Sequence, residues 1–261
     1  MIRLKRFLPL LFEDRALALR LRLLRLAGKI LVPSYRFKWP QLDWWGNAEF
    51  TRYLQRFGEL RTLNTDRKWM LYQLLRLVAH VPGDTAECGV FQGATSYLIC
   101  QANKQSRAGT KTHHLFDSFE GLSEPATSDG AHWTRGDLKC EIEDVRKALS
   151  EFDRVEFHAG WIPERFPEVT DRKFSFVHID VDLGNPTHES LAFFYPRMQP
   201  GGIIVCDDYG MSTCPGATQA IDRFLADKPA KMLTLPDGGG FLIMNIPTAE
   251  SAPLQPTTPP P

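Results

Sequence analysis

Residues 174–210 read FSFVHIDVDLGNPTHESLAFFYPRMQPGGIIVCDDYG, and this stretch decides the fold. Two short apolar runs, 174–179 and 203–206, each end in an acidic pair, Asp180/Asp182 and Asp207/Asp208. Runs this short and this rich in Ile, Val and Phe read as buried parallel strands, whose carboxyl ends open onto the ligand crevice of an α/β sheet. Either pair alone could be a helix cap or a surface acid. Both together, at the ends of successive strands, point to a divalent cation. Converging carboxylates repel one another and raise each other's pKa, and Mg²⁺ is a hard ion that prefers oxygen ligands.

Outward from this stretch the pattern alternates. Strands are expected at 85–90, 111–116, 155–158, 174–179 and 203–206, and helices at 94–101, 141–151, 189–198 and 216–226. Thr65-Asp66-Arg67 opens an earlier helix that Pro82-Gly83 stops. Residues 231–235 and 241–245 read as a closing hairpin around Asp237-Gly238-Gly239-Gly240. The expected fold is α/β: a doubly wound, Rossmann-like sheet with helices on both faces and one antiparallel strand near the C-terminus.

The chain has 261 residues, 43% of them hydrophobic, enough for one large domain with additions at both ends. The expected division is a basic helix and aromatic-rich extension over 1–64, the main domain over 65–246 and a disordered Pro-rich tail over 247–261. Lys+Arg and Asp+Glu both total 31, which gives no reason to expect a nucleic-acid partner. Five cysteines without a CxxC pair read as reduced thiols in a cytoplasmic protein. The N-terminal 33 residues lack the uninterrupted apolar core of a signal peptide or a membrane span. They read as a basic amphipathic helix, able to rest on the inner membrane surface, on a partner subunit or on the protein itself. Aromatics at 35, 37, 39, 44, 45, 50 and 53 are expected to pack on the main sheet, and the assembly is expected to be a homo-oligomer.

Two further constellations carry chemistry. In AECGVFQGATS (86–96), Glu87, Gly89 and Gly93 form E-x-G-x-x-x-G where a strand turns into a helix. Glycines there allow a tight turn and close approach of a ligand to the helix N-terminus. A dinucleotide's pyrophosphate would call for the third glycine of G-x-G-x-x-G, so a nicotinamide-dependent oxidoreductase is disfavoured. A leading acid suits a ligand with an ammonium and a carboxylate at one end. In HLFDSFEGLSEP (114–125), Asp117 lies just past the next strand, where an acid can accept both hydroxyls of a ribose. Asp117 or Ser118 could instead cap a following turn.

The ordered motifs ECGVFQG, FDSFEGL, HAGWIPERFP, HIDVDL and GGIIVCDDYG strongly resemble the macrocin O-methyltransferase family of S-adenosylmethionine-dependent enzymes, over about residues 65–245. The resemblance implies that Glu87, Gly89 and Gly93 hold the methionine end of S-adenosylmethionine, with Thr95 and Ser96 near its carboxylate. It places Asp117 and Ser118 at the ribose and Gly160 and Trp161 beside the adenine. It makes Asp180, Asp207 and Asp208 ligands of Mg²⁺, with Asp182 as base or neighbouring ligand and the division between Asp180 and Asp182 open. The implied acceptor is a sugar or glycosylated metabolite or polysaccharide with vicinal hydroxyls. Alternatives are a catechol-like phenol, or a degenerate, non-catalytic member recruited to an assembly or a membrane. The chain departs from the family pattern at Gly184-Asn185-Pro186, where D-x-D-L-Y-E-S-T is expected, which puts the acceptor in doubt. Residues 123–137 read as a mobile lid, with His132, Trp133 and Arg135 facing the acceptor and His132 as an alternative base.

Overall fold

The computed structural model describes residues 19, 23, 26–31, 47–59, 65–236 and 238–244. The chain divides into two compact units, 1–47 and 48–261. In the first, residues 19, 23 and 26–31 are helical; the other residues of the expected basic helix, aromatics 35–45 and tail 247–261 lie outside the described residues. Among the described residues no helix is long and apolar enough to cross a membrane.

The second unit begins with α1 (Ala48–Arg56), earlier than the expected boundary at 65. This helix buries Phe50, Tyr53 and Leu54, with Phe50 edge-on to Trp69 at 4.9 Å. Arg56 adds an ion pair to Glu151 at 2.6 Å. Next come α2 (Thr65–Leu77), β1 (Asp84–Cys88), α3 (Ala94–Lys104), β2 (His113–Asp117), α4 (Ile142–Ala148) and β3 (Val155–Ala159). After them follow β4 (Phe174–Ile179), α5 (Gly184–Phe194), β5 (Met198–Cys206), α6 (Pro215–Leu225), β6 (Leu233–Thr234) and β7 (Gly240–Ile243).

The seven strands lie in the order β3-β2-β1-β4-β5-β7-β6, parallel except for β7, which runs antiparallel to both neighbours. All six residues of β4 are buried, as a strand covered on both faces requires. Its core is aromatic: Phe116, Phe166, Phe174 and Phe194 are buried and pack edge to face at 5.0–5.8 Å. The chain runs outward from β1 through β2 to β3, then returns to place β4 on the other side of β1. The crevice of such a sheet opens at that reversal.

Register brings the site together. Cys88 is level with Ile179, and Ile179 with Cys206, so Gly89, Asp180 and Asp207 follow at the same height. Two hydrogen bonds carry the ladder one residue past the strands: Asp180 N–H donates to the Cys88 carbonyl at 2.8 Å and Asp207 N–H to the Ile179 carbonyl at 2.9 Å.

One element differs from the sequence reading. The helix expected at 189–198 starts at Gly184 and ends at Phe194, while Met198 opens β5. Gly-Asn-Pro reads as a loop. Yet the first turn of a helix leaves its N–H groups without intrahelical partners, so a proline there loses nothing.

Candidate active site

A cavity of about 900 Å³ opens at the carboxyl ends of β1, β2, β4 and β5. Glu87, Asp117, Trp161 and all four aspartates of the acidic pairs line it.

At one end, β1 turns into α3. Gly89 has φ 82°, and a Cβ there would sit 1.8 Å from the Asp180 carbonyl oxygen, so only glycine lets β1 and β4 approach this closely. Gly93 (φ 78°) starts α3 and lies outside the cavity lining. Glu87 is 1% exposed, hydrogen-bonded to the Ser96 hydroxyl, with His178 Nδ1 3.1 Å from its other oxygen. Burial works to raise the Glu87 pKa, but the His113 and His178 rings outweigh it and hold the acid at about 2. His178 is the closer partner, since His113 Nε2 stands 3.7 Å away.

Asp117 joins two loops. One oxygen accepts from the Val90 and Phe91 amides at 2.7 and 3.2 Å, and the other from the Phe119 amide at 2.7 Å. A carboxylate has about four acceptor sites, so capacity remains for a hydroxyl. Ser118 also lines the cavity, but its hydroxyl serves its own turn, donating to the Gly121 carbonyl and accepting from the Glu120 amide, both at 3.0 Å. Thr95 faces the cavity and accepts from the Lys68 ammonium at 2.5 Å. Ser96 is fully buried and touches Glu87, which lines the cavity, and Gly160 is not part of the lining.

At the other end the aspartates gather in two groups. Asp180 and Asp207 converge with His178, and Asp182 and Asp208 with Cys214, each group within 4.8 Å. The expected trio Asp180, Asp207 and Asp208 is not brought into one such group among the described residues. Asp208 is turned instead toward the β4–α5 loop, accepting from the Val181 and Asp182 amides at 3.2 and 2.8 Å. Asp182 has φ 58°, an uncommon value for a residue other than glycine, and it marks a constrained turn.

Burial first, then mutual repulsion, raises Asp180 to about 6, Asp182 to about 7 and Asp208 well above its ordinary value. Asp207 moves the other way. Burial is there outweighed by His178, Lys68 and Arg67. His178, despite the burial that works to lower its pKa, is raised to about 9 by Asp207 and Glu87.

The sequence reading missed Arg67 and Lys68, which it treated only as the start of a helix. Arg67 pairs with Asp207 at 2.6 Å, and both cations line the cavity. Their position at the head of α2, in a chain otherwise balanced in charge, was the available signal. Carboxylates outnumber cations along the cavity: Glu59, Asp117 and Glu189 line it besides Glu87 and the four aspartates, against Arg67 and Lys68. A divalent cation fits the oxygen donors gathered at the aspartate end.

The segment expected as a mobile lid is pinned. Asp129 is 2% exposed and its carboxylate accepts from the Gly184 and Ala126 amides, both at 2.8 Å. Trp133 Nε1 contacts Cys214 Sγ at 3.3 Å and the ring lines the cavity. His132 and Arg135 are exposed and outside the lining, so the structure gives neither a place at the reacting atoms.

Sheet order 3-2-1-4-5-7-6 with an antiparallel seventh strand, and a crevice lined by acids at the β1/β4 reversal, define a class I methyltransferase. The Macrocin-O-methyltransferase (TylF) family model matches residues 70–233. The chain belongs to the macrocin O-methyltransferase family. It is 29% identical over 148 residues to the 8-demethyl-8-(2,3-dimethoxy-alpha-L-rhamnosyl)-tetracenomycin-C 4'-O-methyltransferase of Streptomyces olivaceus, covering 52% of this chain and 57% of that one. Similarity to the demethyldecarbamoylnovobiocin O-methyltransferase of Streptomyces niveus is 26% over 212 residues, covering 76% and 77%. The structure of the O-methyltransferase NovP superposes with a TM-score of 0.61 at 25% identity, covering 69% of this chain and 80% of that one. The chain spans little more than half the length of the first of these relatives.

Proposed function

We propose that the protein is a Mg²⁺-dependent O-methyltransferase that moves the methyl group of S-adenosylmethionine to a sugar hydroxyl of a glycosylated metabolite or polysaccharide. The observation that carries this reading is the gathering of four aspartates at one end of a cavity whose other end is a Glu87–Gly89 turn with Asp117 beside it. A relative named for a rhamnosyl substrate supports the sugar acceptor.

Glu87, Gly89 and Thr95 would receive the methionine end, Asp117 the ribose and Trp161 the adenine. Asp180 and Asp207, which converge, would hold Mg²⁺, joined by Asp208 once its carboxylate turns from the Val181 and Asp182 amides; the chemistry the ion supplies when bound is to stabilise negative charge developing on a hydroxyl oxygen. Asp182, which lines the cavity beside these carboxylates, would accept that hydroxyl's proton. As the oxygen bonds to the methyl carbon, the carbon–sulfur bond breaks and sulfur keeps the electron pair, leaving S-adenosylhomocysteine. Arg67 keeps Asp207 ionised and oriented. A cytoplasmic, oligomeric enzyme with its N-terminal basic helix at a membrane or partner belongs to the same proposal.

Titration calorimetry tests the cofactor half. S-adenosylmethionine should bind, and Asp117→Ala should weaken it by about 10-fold or more, the loss of hydrogen bonds to a charged group. No heat of binding to the wild-type chain would refute the reading.

A further inference from the structure

Strands β2 and β3 carry a second cluster that methyl transfer does not use. His114 and Glu156 are register partners and His158 lies two residues beyond Glu156, so all three share one face of the sheet. His114 Nδ1 stands 3.1 Å from His158 Nε2 and 3.3 Å from Glu156 Oε2. The three ligand atoms fall within 4.8 Å of one another.

What lies behind the rings fixes their protons. His114 Nε2 is 3.3 Å from Asp84 Oδ2, and His158 Nδ1 is 2.5 Å from Glu168 Oε2. Each of these carboxylates has its own arginine, Arg172 for Asp84 at 3.6 Å and Arg165 for Glu168. An ionised carboxylate only accepts, so each neutral ring carries its hydrogen on the rear nitrogen and turns a lone pair to the front. The ring centroids are 5.4 Å apart, which sets the two front nitrogens nearly head-on. Glu156 adds a third acceptor. With both rings neutral, three lone pairs face one another there.

We infer that His114, His158 and Glu156 form a transition-metal site of the zinc type, separate from the aspartate site. Two nitrogens bound to Zn²⁺ at 2.0–2.1 Å with a tetrahedral angle stand about 3.3 Å apart, close to the 3.1 Å seen, and each ring would turn by about 35° to aim its lone pair at the ion. Two imidazoles and one carboxylate suit Zn²⁺, where four aspartates suit Mg²⁺. Histidine ligands backed by carboxylates are a recurrent arrangement at zinc, and here both rings have one. Both rings are also held by packing: His158 stacks on Phe116 at 4.5 Å and His114 meets Phe174 edge-on at 5.9 Å. The side chain of Glu156 is 51% exposed, which leaves the fourth position toward solvent. The bound ion would clamp the edge strand β3 to β2 immediately before Gly160 and Trp161.

The test is a Co²⁺ titration of the chelator-treated, full-length protein, followed by visible absorption. One Co²⁺ per chain should give the intense bands of a tetrahedral ion, and Zn²⁺ should bleach them. His158→Gln should abolish the bands, and Glu168→Gln should weaken binding by about 10- to 100-fold. Asp207→Asn should leave them unchanged. Glu156→Gln, at a half-exposed position, decides the matter if His158→Gln does not fold: it should weaken Co²⁺ binding at unchanged thermal stability of the metal-free protein. An unchanged Co²⁺ affinity in Glu156→Gln, or bands that vanish in Asp207→Asn, would overturn the inference. So would the absence of any band, together with ring nitrogen shifts showing an extra proton held between His114 and His158.

Discussion

At the residue scale, the account turns on carboxylates whose environments push them apart. Glu87 is held ionised by His178 beside it, whereas Asp182 is driven up by burial and then by Asp180. Pairs of acids separated in this way take different roles. Asp182→Asn should cut the methyl-transfer rate by about 10²- to 10⁴-fold, the usual contribution of a positioned base, with cofactor affinity kept within a few-fold. Rate and calorimetry on the same preparation check this; an unchanged rate would remove Asp182 from the reaction. Asp207→Ala should abolish transfer while cofactor affinity stays within a few-fold, since the direct partner of Asp207 is Arg67 and the substitution leaves Gly89, Thr95 and Asp117 in place. Gly89→Ala should destabilise by about 2 kcal/mol or more, read from urea unfolding, because its Cβ would strike the Asp180 carbonyl.

At the element scale, the carboxyl ends of the central strands were legible and the first turn of one helix, α5, was not. The limits of β4 coincide with the expected 174–179, because a six-residue apolar run between charged neighbours admits little else. The acidic pairs were readable from the same logic, since a strand that ends in the crevice sets its next residues there. The start of α5 was hidden by Gly184-Asn185-Pro186, whose composition is that of a loop. What the composition serves is packing. Gly184 and Gly216 approach so closely that a Cβ on Gly184 would lie 2.9 Å from the Gly216 carbonyl oxygen, and one on Gly216 would lie 1.8 Å from Asp129 Oδ1. The departure from the family pattern therefore accommodates the pinned 123–137 segment, and Asn185 and Pro186 border the cavity next to it. The head of α2 hinted at Arg67, but its partner was not legible, for Arg67 meets Asp207 across 140 residues of chain. Gly216→Ala should dislodge Asp129, speed proteolysis within 123–137 and cost about 1–3 kcal/mol, the range for overpacking a filled site. Cleavage no faster than in the wild type would show that the segment is held by other means.

At the scale of the whole molecule, the buried acids tie stability to pH and to metal. Asp180 and Asp182 rise from 3.8 to about 6 and 7, so their contribution is full below about pH 4 and is lost as pH climbs through those values. His178 rises from 6.5 to about 9, so its contribution is full below 6.5 and fades through 9. Glu87 has the opposite sign. Lowered from 4.5 to about 2, it stabilises above 4.5 and gives that up as pH falls through 2. The chelated protein should therefore melt highest near pH 5 and progressively lower toward pH 9, and saturating Mg²⁺ should remove most of that decline by neutralising the aspartates. Thermal melts at pH 5 and 8.5, with EDTA or with Mg²⁺, test the sign; a metal-independent profile would contradict it. The central claim, that one cavity joins a methyl donor to a metal-assisted hydroxyl, is tested most directly by transfer of labelled methyl from S-adenosylmethionine to a panel of deoxysugar glycosides. The account predicts label on a sugar oxygen that EDTA abolishes and Mg²⁺ restores; transfer that is indifferent to EDTA, or label that never reaches oxygen, would contradict it.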